Sequence, residues 1–221
     1  MGIMNVSKLS IVQNESSYNV TLVHQILSVL GFPPDKKEIA ERKAGSDTRA
    51  KLTELRAQLG LPAATPKAPL VDAALAEAII ETLRKRGLTD TASSFTVSGV
   101  VRGADGTPKR QQRVMAFDLD LKGVAIYRTV ETLEQMDTHG GFEFLGEAVS
   151  DPHGAYSITF YEWQYRRAER KKADVVVFAV AEGGRILGRS ALIDSAAYSA
   201  IGVAQNLDVV LAQVDTRPEY E

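Results

Sequence analysis

The hydrophobic period of this 221-residue chain changes once, and that change dictates two different kinds of folded unit. Between positions 20 and 88 apolar residues recur every three to four positions, the spacing that lines one face of a helix. From Phe95 onward they alternate, the spacing that lines one face of a strand. Between them, Thr89 to Ser94 reads TDTASS, small and polar, the composition of a linker. The chain therefore divides into an N-terminal tail (1–18), a helical domain (19–88), a linker (89–94), a β domain (95–214) and a C-terminal tail (215–221). The fold class is α+β as two domains.

Within the helical half, Leu22, Val23, Ile26, Leu27, Val29 and Leu30 form one stripe, closed by Gly31 and then Pro33-Pro34. Asp35 and Glu38 have capping-box spacing, predicting that Asp35 accepts the Glu38 amide while Glu38 reaches back. The short helix so started runs to about Lys43 and ends at Gly45. Ser46 or Asp47 then caps a helix with Leu52, Leu55 and Leu59 inward, stopped by Gly60. Asp72 caps the last helix, with Leu75, Ile79 and Leu83 inward, a basic final turn and Gly87 as its stop.

In the other half, strands are predicted near 95–102, 112–119, 142–149, 154–160, 174–181, 185–191 and 206–212. Asp105-Gly106 and Gly183-Gly184 are hairpin signals. Asp151 to Gly154 has the chemistry of an Asx-turn with Gly154 left-handed. Seven short strands with regular turns predict a β-sandwich. A helix over Glu162 to about Lys172 interrupts them, and Lys122 to Gly141 is an insertion between strands.

Both halves resemble known modules. The motifs Ser98-Gly99-x-Val101, Asp105-Gly106-x-Pro108, Val114-x-Ala116-Phe117-Asp118 and Ser150-Asp151-x-x-Gly154-x-Tyr156 are similar to the carboxypeptidase-regulatory-like, transthyretin-like β-sandwich family. That resemblance implies a seven-stranded, non-catalytic sandwich. Val20 to Gly31, Gly45 to Thr48, Leu52-x-x-Leu55-Arg56, Leu59-Gly60-Leu61 and Val71-Asp72 resemble the peptidoglycan-binding-like three-helix fold. Leu55-Arg56 stands where that family usually has an aromatic-Gln pair, a departure that favours protein partners over glycan. The tandem, with Tyr161 to Val177, resembles the N-terminal region of some insecticidal toxin-complex A-type proteins. It implies a recognition or assembly module without the pore.

Composition removes several function classes. With no cysteine, disulfides, thiolate catalysis and Cys-ligated zinc are excluded. A net charge of -2 and a pI of about 6.0 give no electrostatic case for nucleic acid. No apolar run is long enough to predict a membrane span. The N-terminus lacks a Sec signal, which predicts cytoplasmic synthesis, with leaderless export inside a larger particle as the route outward.

Candidate chemical residues are sparse. Asp137-x-His139 and Asp151-x-His153 repeat one spacing, so a metal held by both pairs, serving a hydrolase, is one reading and two unrelated loops the other. His24 lies in an apolar stripe and reads as a core-edge residue. Asp118 and Asp120 are paired carboxylates at a strand end. Ser98-Gly99 lacks a nucleophile-elbow pattern and is better explained by sheet geometry. The run Arg166-Arg167-x-x-Arg170-Lys171-Lys172 is read as a solvated helix face, with Trp163 and Tyr165 or Ala168 turned to the sandwich; an anionic docking site is the alternative.

No catalytic, cofactor-binding or metal residue is assigned, and no cofactor is expected. The expected function is a non-enzymatic recognition or assembly module of a bacterial toxin or contractile-injection particle, with protein partners. A cell-wall glycan-binding module is the alternative, and a metal-dependent hydrolase the second.

Overall fold

The computed structural model of the chain describes residues 11–14, 17–65, 68–89, 94–165, 173–193 and 205–212. It is α+β and forms two compact units, one of Met1–Ser94 with Phe160–Arg166, the other of Phe95–Thr159 with Arg167–Glu221. No described helix is long and apolar enough to cross a membrane.

The first unit carries α1 (Tyr18–Leu30), α2 (Lys36–Glu41), α3 (Ser46–Gln58) and α4 (Ala73–Lys85). Its core gathers the predicted stripes: Val23, Ile26, Leu27 and Leu30 from α1, Leu52 and Leu55 from α3, Leu75, Ile79 and Leu83 from α4. Leu22, Val29 and Leu59 pack at its margin. Gly31 ends α1 in the left-handed region (φ 96°), where a Cβ is costly. Ile11, placed in the tail by sequence, is fully buried in this core, and its carbonyl accepts from the Leu70 amide at 2.8 Å.

Three end signals resolve differently from their prediction. Helix α2 stops at Glu41, because Arg42 turns left-handed (φ 48°) with its guanidinium 4.3 Å above the Tyr18 ring. The Asp35–Glu38 capping box does not form. Asp35 accepts from the Lys37 amide instead, and Glu38 turns toward α3. Helix α3 begins from Gly45 rather than from a Ser46 or Asp47 cap. Asp72 does cap α4, accepting from the Leu75 amide at 2.9 Å.

The second unit is one mixed sheet built from β1 (Ser94–Arg102), β2 (Arg113–Leu119), β3 (Phe142–Val149), β4 (Ala155–Tyr161), β5 (Val175–Val180), β6 (Ile186–Arg189), β7 (Gln205–Asn206) and β8 (Val209–Leu211). The hydrogen-bonded order is β3-β2-β5-β6-β8-β1-β4, with β7 also beside β1. Pairing of β1 with β7 and β8 is parallel, and the β2–β3, β2–β5, β5–β6 and β6–β8 pairs are antiparallel. The expected sandwich is thus a single path curling toward a barrel. Its edge strands meet where Ile158 of β4 covers Gly146 of β3, leaving only 2.9 Å for a Cβ there.

Strands β2 and β5 lie inside the path and are buried on both faces, so they read as apolar runs rather than alternations. Phe117 of β2 sits edge-on to Phe142, Phe144 and Phe178, with centroids 5.7–6.3 Å away.

Three sheet-side expectations need correction. Asp105-Gly106 forms a tight turn, with the Gly106 amide on the Gly103 carbonyl at 2.9 Å, yet β1 and β2 are not partners. The turn folds the chain back on the end of β1, pairing Arg102 with Pro108. The last predicted strand breaks at Leu207-Asp208 into β7 and β8. The helix predicted from Glu162 begins as a 3₁₀ turn, Glu162–Gln164, and its continuation over 166–172 lies outside the described residues.

Candidate functional site

A polar network surrounds the N-terminus of α3. The Glu38 carboxylate accepts from the amides of Gly45 (3.1 Å), Asp47 (2.9 Å) and Thr48 (2.8 Å) and from the Thr48 hydroxyl (2.6 Å). Glu38 therefore caps a helix other than its own. Asp47 answers by accepting from the Asp35 amide at 2.6 Å. A Cβ at position 45 would stand 2.3 Å from the Glu38 carboxylate, so the chain passes this point as glycine. Burial pushes the Glu38 carboxyl up, but the bonds from Thr48, Asp47 and Gly45 outweigh it and hold the group below the ordinary carboxylate value.

Behind this cap, His24 Nε2 lies 2.8 Å from Thr48 Oγ1. The one hydroxyl proton of Thr48 goes to Glu38, so Thr48 Oγ1 must accept from His24, and the imidazole is neutral with its proton on Nε2. Burial lowers its pKa to about 4, against the opposing fields of Glu38 and Asp47. Carboxylate, hydroxyl and imidazole in line resemble a nucleophile with its base, but the arrangement cannot work as one. His24 donates to the hydroxyl instead of accepting from it, and Thr48 is 0% exposed. The network serves to hold α1, α2 and the start of α3 together. Beside it opens a polar groove of ≈ 580 Å³ lined by Asn14, Lys37, Glu41, Lys43 and Asp47, among others.

Arg56 is also structural. It is 5% exposed, pairs with Asp72 at 2.5 Å and donates to the Pro62 carbonyl at 3.0 Å. The Leu75 amide and Arg56 together hold the Asp72 carboxyl below its ordinary value. Trp163 and Tyr161 stack at 6.2 Å, nearly parallel, and pack with the helical core rather than on the sheet. That turns the sequence expectation for Trp163 around. Tyr165 is buried edge-on to Phe160.

The two Asp-His pairs do not converge. His139 ends α6 (Leu133–His139) just before β3 begins, and His153 lies in the turn just after β3 ends. Eight residues of strand separate them, about 24 Å at the rise of a strand. Asp151 is occupied in its turn, accepting from the amides of His153 (2.8 Å) and Ala155 (2.9 Å). Among the described residues no group of three or more His, Asp or Glu side chains could hold a metal. Asp118 and Asp120 are engaged likewise. Asp118 is fully buried and accepts from the Asp174 amide, while Asp120 caps α5 (Leu121–Ile126) through the amides of Lys122 and Gly123.

The 122–141 insertion is a docked element. Helices α5 and α6 bury Tyr127, Val130, Leu133 and Met136. Arg189 of β6 donates to the carbonyls of Tyr127 (2.6 Å) and Val130 (2.9 Å), and Leu133 donates its amide to Gly184 in the β5–β6 turn. Arg189 carried no sequence signal as an anchor. Ser98-Gly99 is explained by the sheet: a Cβ at Gly99 would stand 2.2 Å from the Leu207 carbonyl oxygen, which also accepts from the Tyr156 hydroxyl. Arg166, Arg167, Arg170, Lys171 and Lys172 lie outside the described residues.

No family model matches the chain, and no curated protein matches it. Among solved structures it is similar to the dioxygenase domain of a dioxygenase–carbohydrate-binding protein fusion from Streptomyces sp. SirexAA-E, at 20% identity over 56% of this chain and 82% of that one, TM-score 0.33. It is similar to the shaft pilin SpaA of Lactobacillus rhamnosus GG at 13% identity over 54% of this chain and 48% of that one, TM-score 0.34. An alternative pilotin from the type II secretion system of Vibrio cholerae is similar at 9% identity over 54% of this chain and 99% of that one, TM-score 0.29. None of these three is a toxin-complex protein or a peptidoglycan-binding domain, and likenesses at these scores assign neither activity nor partner.

Proposed function

We propose that the chain is a non-enzymatic recognition or assembly module, a peptidoglycan-binding-like helical unit joined to a transthyretin-like sheet unit. Its place would be as an accessory, targeting or structural component of a bacterial toxin or contractile-injection particle. The observation that carries this reading is the use made of the acids. Glu38, Asp72, Asp118, Asp120 and Asp151 all accept from backbone amides, which leaves them as fold chemistry. What the chain offers outward is shaped surface, above all the insertion that Arg189 pins to the sheet, with Lys122 and Arg128 exposed on it. The tandem sequence resemblance supplies the particle. Tagged full-length chain recovered from its native host should sediment with a large assembly, and Lys122→Glu with Arg128→Glu should release it. Recovery as a free protein with no particle component would sink the reading.

The polar groove beside α3 favours a second reading, cell-wall glycan binding, since alternating acids and lysines suit a hydroxyl-rich ligand. The chain should then pellet with purified peptidoglycan at micromolar concentration, and Lys37→Glu with Lys43→Glu should abolish pelleting. Full retention of the wild type in the supernatant would remove it.

A further inference from the structure

The insertion on the sheet unit divides its charge between its two halves. Residues 121–130 hold Lys122 and Arg128 and no acid, while residues 131–138 hold Glu131, Glu134 and Asp137 and no base. All five side chains are exposed. Asp137 is engaged within the chain, but among the described residues neither Lys122 nor Glu134 forms an ion pair. Arg128 is fixed over the Tyr127 ring, 5.6 Å from its centroid, and its Nε donates to the phenol oxygen at 3.0 Å. Leu121 opens α5 at 90% exposure, and Ala125, one turn on, is exposed on the same side. The first turn of a helix favours acidic and polar residues, so the fold itself has no use for a leucine there.

The surface is held firmly on the sheet. Arg189 binds the Tyr127 and Val130 carbonyls, the Ile186 amide donates to the Glu131 carbonyl at 2.7 Å, and Thr132 bridges to Arg185. The spacing between the basic and the acidic half is therefore set by the fold. A face with one basic half, one acidic half and an exposed apolar side chain is complementary to itself under a two-fold rotation, which sets each basic half against the acidic half of the other copy. We propose that the insertion pairs with the insertion of a second copy of this chain, α5 against α6 in both directions, with Leu121 buried between them. The inference deepens the assembly reading above by naming the insertion's partner, and it rests on that reading's use of this surface. Eleven residues between Leu121 and His139 are exposed, about half of the roughly 20 residues a side in a standard interface, so the dissociation constant expected is on the order of 10 µM.

Sedimentation velocity of the purified full chain tests this. At roughly ten times that concentration in low salt, a species of twice 24.0 kDa should dominate and should dissociate as salt is raised. Leu121→Asp, at a position the fold does not use, should weaken the dimer by about tenfold or more and leave the urea midpoint unchanged. Lys122→Glu alone and Glu134→Lys alone should each be monomeric. Mixed in equal amounts, these two variants should form a heterodimer, because each reversed charge then meets its opposite at both contacts. The inference is overturned if the wild type is monomeric throughout, if Leu121→Asp dimerises as the wild type does, or if the mixture of charge-reversed variants stays monomeric. A monomeric wild type that still sediments with a particle from its host overturns this inference alone. A dimer recovered from the host with no particle component overturns the earlier reading alone.

Discussion

The two units weight two means of close approach differently, charge on backbone amides and the omission of a side chain. In the helical unit, chain segments that approach one another are fastened by charged side chains on backbone amides: Glu38 over the start of α3, Asp72 with Arg56 at the start of α4. In the sheet unit, close approach depends on omitting a side chain: Gly99 under Leu207, Gly188 under Val210, Gly154 under Val101, with Asp208 adding a carboxylate on the Val100 amide beside the first. The first means depends on ionisation and the second on volume. Acid should therefore loosen the Glu38 and Asp72 attachments while leaving the space at the Gly99 and Gly154 crossings unchanged, and one added methyl at those glycines should do the reverse.

The largest effect expected is on the volume side. Gly99→Ala places a Cβ 2.2 Å from a carbonyl oxygen that is fixed by the Tyr156 hydroxyl. Neither backbone can yield without breaking the β1–β7 pairing, so the loss should be about 3 kcal/mol, the upper end of overpacking. Gly154→Ala adds a left-handed φ of 75° to a 2.6 Å clash with the Val101 carbonyl and should match it. Both losses should be the same at pH 7 and pH 5 in urea unfolding. A pH-dependent loss would break the comparison.

Acid comes next. The pKa of His24 is about 4 in the fold and near 6.5 when unfolded. The fold holds the ring neutral, so stability is complete above about pH 6.5 and falls as the pH drops toward 4, where it levels, for a loss of at most about 3 kcal/mol. Glu38, held below the ordinary carboxylate value, keeps its contribution above that value and loses it at lower pH, as its folded-state pKa is crossed. His24→Gln, which keeps a donor to Thr48, should flatten the upper part of this profile and leave the lower part. An unchanged profile would show that His24 is not the group that titrates.

How far the sequence disclosed this depends on the range of each interaction. Stripes such as Leu75, Ile79 and Leu83, and local turns such as Asp151 to Gly154, were legible because they are completed within a few residues. Glu38 was misread because the capping-box rule looks only three residues back, whereas the amides it takes lie seven to ten residues ahead. Asp105-Gly106 was legible as a turn but not as a turn without a hairpin, since the partners of β1 lie 50 to 110 residues away. Trp163 carried an aromatic signal whose direction no local pattern could fix. Among the candidate site residues, the Asp-His repeat was an accident of spacing: one strand's length keeps its two halves apart.

Smaller, and aimed at the charge side alone, are two substitutions that separate an anchored acid from an exposed one. Glu38→Ala removes an acceptor from three amides and a hydroxyl at once and should cost about 2 kcal/mol, the upper range of a lost helix cap. Glu81 looks equally engaged: Arg84 binds it through two bonds of 2.8 Å, Lys85 stands 3.5 Å away, and its pKa is lowered to about 2, chiefly by Arg84. Its partners are exposed surface side chains, however, and solvent screens the pair in both states. Glu81→Gln should leave the urea midpoint unchanged, in low salt and in 1 M salt alike. If it lowers the midpoint as far as Glu38→Ala does, charge number rather than attachment to the backbone governs the helical unit, and the contrast with the glycine crossings loses its physical basis.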